Sequence, residues 1–131
     1  MNRIPATITA IKAHDGITVI SFTAAEQPMR MMALEIDDSL KRGSEVILGV
    51  KASNIALAKN PVGLMSISNR LDVTIEHINN GALLSSVKFR LGDTLIESVI
   101  TLDSSHRMNL QQGDTVVALI KSSELSILEK L

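Results

Sequence analysis

Asn2-Arg3-Ile4-Pro5-Ala6-Thr7-Ile8-Thr9-Ala10-Ile11 returns, in outline, as Asn69-Arg70-Leu71-Asp72-Val73-Thr74-Ile75-Glu76-His77-Ile78. The leading Asn-Arg, the inner Thr-Ile and the closing Ile are identical, and Ile4 against Leu71 is conservative. A second pair of segments follows in the same order. Gly43-Ser44-Glu45-Val46-Ile47-Leu48-Gly49-Val50-Lys51-Ala52-Ser53 lines up with Gly113-Asp114-Thr115-Val116-Val117-Ala118-Leu119-Ile120-Lys121-Ser122-Ser123. The offset is 67 at the front and 70 at the back, so one short gap reconciles the copies. Two matches in one order mark an internal duplication. The chain divides into a first copy over residues 1–60, a linker over 61–65 and a second copy over 66–131. Pro61 and Gly63 punctuate the linker, which is too short to let the halves drift apart.

Each copy has the period of strands. Ile8 and Ala10 alternate with Thr7 and Thr9, and Ile17, Val19, Ser21 and Thr23 follow a turn at His14-Asp15-Gly16. In the second copy, Leu71, Val73 and Ile75 lead to Asn79-Asn80-Gly81, where Asn-Gly is a hairpin signal because both residues tolerate positive φ. Only residues 37–41 and 103–110 carry a helical signature, the second opening on Asp103-Ser104. The expected fold is all-β: two tandem small five-stranded barrels of the oligonucleotide/oligosaccharide-binding type, each with one short helix. A 60-residue barrel is marginal alone, which predicts pairing of copies within and between chains.

Composition narrows the function. Thirteen basic against 14 acidic side chains in 131 residues leave a net charge of −1, with no general field to draw nucleic acid or an anionic membrane. The absence of Cys excludes disulfides, zinc fingers and thiol catalysis. Two Phe, with no Trp or Tyr, leave little on which to stack bases. There is no apolar run of membrane-spanning length, and the Met1-Asn2-Arg3 opening lacks a signal peptide's apolar core, so the expected location is cytoplasmic. His14, His77 and His106 stand apart without an acid or nucleophile partner, so neither an enzyme nor a cation site is expected. What remains is a set of hydroxyls around one Lys: Ser66 and Ser68, Thr101 and Ser104, and Lys121-Ser122-Ser123. Hydroxyls, the N–H groups of a helix start and an ammonium all donate, which suits a tetrahedral oxyanion; the same residues also serve as ordinary turn caps.

Three segments of the second copy resemble the Mop domains of the molbindins. They are Ser66-Ile67-Ser68-Asn69-Arg70-Leu71, Ser98-Val99-Ile100-Thr101-Leu102-Asp103-Ser104, and the run from Leu110 through Gly113 to Lys121-Ser122-Ser123. The resemblance implies an intracellular protein that binds molybdate or tungstate for storage, buffering or sensing. It assigns Ser66, Thr101, Ser104, Lys121 and Ser122 to the anion shell. It also implies homo-oligomers, with a trimer favoured for a free two-copy form and a dimer the alternative. Ser68 stands where the family has Arg, and Arg70 is displaced by two positions. In the first copy, Arg3, Lys51 and Ser53 are the weaker candidates, because Glu35 and Asp38 fall near the places of Thr101 and Ser104 and a carboxylate cannot donate. An acceptor-poor shell would also disfavour phosphate, whose proton would lack a partner. Two rivals stand beside this reading: the sensor portion of a molybdenum-responsive transcription regulator, and a protein-interaction module that has lost its anion. Two copies fill the 131 residues, leaving no room here for a helix-turn-helix.

Overall fold

The computed structural model describes residues 1–131 as two five-stranded sheets with little helix. The strands are β1 (Asn2–His14), β2 (Ile17–Ala24), β3 (Gln27–Ala33), β4 (Glu45–Val50), β5 (Ala56–Ala58), β6 (Asn69–Asn80), β7 (Leu84–Leu91), β8 (Thr94–Thr101), β9 (Thr115–Ile120) and β10 (Ser126–Lys130). Helix α1 spans Leu102–Arg107, and short 3-10 turns at Ala52–Asn54 and Ser122–Glu124 follow β4 and β9. The period-2 pattern buries one face of each strand: Ile4, Ala6 and Ile8 on β1, and Leu71, Val73 and Ile75 on β6. Phe22 and Phe89 occupy equivalent places in the core and are among its largest fully buried side chains. No helix is long and apolar enough to cross a membrane.

One long strand serves two neighbours in each sheet. Residues 2–7 of β1 pair with β4, while residues 7–14 pair with β2, and a bulge between Ile8 and Ala10 bends the strand at the changeover. β6 repeats the device, with its bulge between Ile75 and His77. The chain turns from β1 to β2 through Asp15 (φ 50°) and Gly16 (φ 76°), as the sequence leads one to expect.

The fifth strands are exchanged. The sheets run β10-β4-β1-β2-β3 and β5-β9-β6-β7-β8, so each copy donates its last strand to the other. β5 lies antiparallel to β9, with Leu57 opposite Ala118, and β10 to β4, with Ile127 opposite Leu48. Each hydrogen-bonded ladder stays open rather than closing, which leaves β3 and β8 as edges. Those edges are covered by side-chain amides from the opposite half. Arg30 N donates to Asn69 Oδ1 at 2.6 Å and Asn69 Nδ2 donates to Arg30 O at 2.9 Å. Asn2 makes the same pair with Glu97, at 2.9 and 2.8 Å. A side-chain amide thus imitates a neighbouring strand at one residue of each edge. Gln27 treats the backbone of Asp72 likewise, at 2.9 and 3.1 Å. That third contact has no counterpart, because Pro5 stands where Asp72 does and lacks an N–H. Asp114 accepts from Gln111 N and meets Lys59 Nζ at 3.1 Å, and these contacts hold its carboxyl below the usual range. Lys59, just past β5, is thereby fastened to the half it visits.

Three local expectations change. Residues 37–41 form turns, not a helix: Asp37 Oδ1 accepts from Ser39 N at 2.8 Å, and Asp37 O from Leu40 N at 3.0 Å. The segment is three residues shorter than its counterpart, close to one helical turn, so α1 has no room to repeat. Asn80 stays in β6 opposite Ser85, and Gly81 lacks the positive φ expected of an Asn-Gly hairpin. The helix in the second copy starts at Leu102 rather than Asp103, with Thr101 as its cap.

Candidate functional site

Thr101 ends β8 with extended backbone and turns the chain into α1, its Oγ1 accepting from Ser104 N at 3.2 Å. Thr101 Oγ1 also donates to Ser104 Oγ at 2.9 Å, and Arg107 Nη2 reaches the same oxygen at 3.3 Å. Both lone pairs of Ser104 Oγ are then engaged, which frees its own proton to point outward. Arg107 is steadied by Asp103, with Nη1 to Oδ2 at 2.7 Å. β9 delivers Lys121 to the start of the turn Ser122–Glu124, where it is exposed and forms no ion pair.

Thr101, Ser104 and Lys121 line one groove of about 460 Å³. Its walls include Ile67, Val99, Ile100 and Leu119 from the second half and Ser53, Asn54, Ile55 and Ala56 from the first. The groove exists because β5 has crossed over. Ser98 Oγ donates to Ile55 O at 2.6 Å beneath it, a buried bond that holds the crossing segment in place. With the Thr101 proton spent on Ser104, the Ser104 hydroxyl and the Lys121 ammonium are the donors that this apolar-walled recess offers an anion.

The other expected residues lie off this groove. Ser66 and Ser68 flank Ile67 but are exposed outside the lining, and Arg70 is exposed on β6 opposite Leu119. Ser122 is half-buried in the turn after Lys121 and does not line the groove. Of the first-copy candidates, Ser53 does line it, Lys51 heads its own turn elsewhere, and Arg3 is paired with Glu129 at 3.1 Å.

The first half carries no equivalent donor set. Thr18 pairs with Ala33 as Ser85 pairs with Ile100, so Leu34, rather than Glu35, takes the place of Thr101. The recess on this side, about 400 Å³, is bordered by Glu35, Asp37, Glu129 and Lys130 over Met31, Leu40 and Leu125. Three carboxylates against one ammonium do not suit an anion.

Sequence reasoning missed Arg107, Asn54 and Glu124. Arg107 follows Ser104 by three residues on α1, and Glu124 follows Lys121 by three in a 3-10 turn, spacings that put each pair on one side of its element. Glu124 lines the groove and accepts from Asn54 Nδ2 at 2.9 Å, so the shell is not acceptor-poor as expected.

Comparison with known proteins gives a domain-family match and a fold likeness. Residues 65–127 match the TOBE domain family. Over 85 residues the chain is 36% identical to the molybdenum import ATP-binding protein ModC of Hahella chejuensis, a stretch that takes in 63% of this chain. It spans only 24% of that relative's length. Among solved structures, the cytoplasmic molybdate-binding protein ModG with molybdate bound is similar throughout, at 26% identity and a TM-score of 0.89, covering 96% of this chain and 94% of that one.

Proposed function

We propose, from the premise that residues 65–127 carry a TOBE domain and that the whole chain shares its fold with a molybdate-binding protein, that this protein binds molybdate or tungstate. Binding serves storage, buffering or sensing in the cytoplasm. The observation that carries the reading is the groove in which Lys121 joins the hydroxyls of Thr101 and Ser104. Lys121 supplies the charge, Ser104 the free hydroxyl proton and Thr101, through its bonds to Ser104 N and Oγ, the orientation of that hydroxyl. The Mop-domain resemblance adds Ser66 and Ser122 to the shell, and Ser68 and Arg70, which depart from the family pattern, are candidates beside them. Ser66, Ser68 and Arg70, all exposed, are assigned to the groove of an adjoining copy in a homo-oligomer.

Self-association has support on the first half. Val19 and Met32 face each other across β2 and β3, with Ile17 and Leu34 on the same outward face, all four exposed. Contiguous exposed apolar surface of this kind favours a partner. A trimer is favoured over a dimer. The likeness to part of ModC favours a second reading, a sensing module that reports oxyanion to another domain.

Native mass spectrometry after incubation with molybdate tests both points at once, because it counts chains and bound anions together. A monomer with no molybdate bound overturns the proposal.

A further inference from the structure

Glu124 is out of place in a plain dianion shell. It lines the same groove as Lys121, Thr101 and Ser104, and a carboxylate can only accept hydrogen bonds or repel negative charge. Its position is set from the other half of the chain, since Asn54 Nδ2 donates to Oε2 at 2.9 Å, while Oε1 has no donor from the protein. The duplication shows that a neutral side chain suits this place. Lys51-Ala52-Ser53-Asn54 corresponds to Lys121-Ser122-Ser123-Glu124, with an amide where the second copy has the acid.

Resting on the reading of this groove as an oxyanion site, we infer that Glu124 sets which tetrahedral oxyanions it accepts. The free Oε1 accepts a hydrogen bond from the O–H of an anion that carries a proton, such as hydrogenphosphate, and opposes a proton-free dianion such as sulfate or molybdate. Lys121 and the Ser104 hydroxyl donate to either kind of anion, so they cannot tell the two apart. Against Oε1, a proton-free dianion presents only lone pairs. A P–O–H group instead makes a charge-assisted bond there, which is short and stronger than a neutral one. An amide at position 124 removes the repulsion and can turn an N–H toward a proton-free dianion.

The test is calorimetric titration of the full chain at neutral pH with sodium molybdate, sodium sulfate and inorganic phosphate, for the wild type and for Glu124→Gln. Wild type is expected to hold phosphate more tightly than sulfate. Glu124→Gln is expected to gain about tenfold in affinity for molybdate and for sulfate while phosphate gains nothing, the size of one charge-assisted contact made or relieved. A role confined to holding the turn in shape would move all three affinities together, and that result overturns the inference while leaving the site standing. Failure of molybdate to bind wild type and Glu124→Gln alike overturns the reading of the groove and this inference with it.

Discussion

Replacing Asn69 with Ala should loosen the junction between the halves more than any other single amide. The Asn69 side chain is fully buried and holds both backbone groups of Arg30, at 2.6 and 2.9 Å. Alanine reaches neither. The Arg30 N–H and C=O would then be left unpaired on an edge that the other half covers, and the amide's volume would become a void. Two such bonds lost from a buried site cost about 2–4 kcal/mol together. Over 131 residues the unfolding entropy near the midpoint is roughly 0.28 kcal/mol/K, so Tm should fall by about 7–15 °C. Asn2 makes the equivalent pair with Glu97 but is only half-buried, so water can reach the vacated groups. Asn2→Ala should therefore cost less, about 1–2 kcal/mol. Scanning calorimetry on the two variants and wild type decides the matter. A Tm for Asn69→Ala within a degree of wild type, or a larger loss for Asn2→Ala, would refute the argument that burial sets the cost.

Lys121→Met should lower molybdate affinity by roughly ten- to several-hundredfold with the melting curve unchanged, because one charge-assisted donor is lost; Lys51→Met, outside the groove, should lower it far less, and equilibrium dialysis distinguishes them. Gly92→Ala should destabilise by about 1–3 kcal/mol, seen in urea unfolding, since Gly92 has φ +60° and a Cβ there would sit 2.9 Å from Ala25 Cβ. The carboxyl of Asp114 is held low first by Gln111 N–H and then by Lys59, so its contribution is present above the ordinary carboxylate value of 3.8 and is lost as pH falls through the lowered one. Asp114→Asn should therefore reduce stability at pH 7 and flatten the fall in stability below pH 3.8, as read by circular dichroism melts across pH.

The strands were legible because a half-buried sheet writes a period of two into its sequence, and the repeat was legible because Asn2 and Asn69 do the same work in each half. The Asn-Arg identity in the alignment was a signal for a contact between halves, not only for common descent. The exchange of β5 and β10 was not legible. Leu57 faces Ala118 and Ile127 faces Leu48, and either short apolar strand would suit either sheet equally well. The turn Ala25-Glu26 was not legible either, since both residues hold positive φ (49° and 66°) without the Gly or Asn that would announce it. At the groove, Thr101, Ser104 and Lys121 could be found from residue type and order. Asn54 could not, because it arrives from the first copy on the crossing segment.

The exchange also bears on how the chain is made. Gly49 pairs with Ser126, which lies 77 residues further on. At about 5–20 residues per second, β4 leaves the ribosome roughly 4–15 s before its partner strand exists. During that interval the first half is a sheet with an unpaired flank of alternating Val46, Leu48 and Val50. A nascent chain in that state is open to any passing strand, including β10 of a neighbour on the same message. Exchange of the last strand between neighbouring chains would compete with self-completion during that interval.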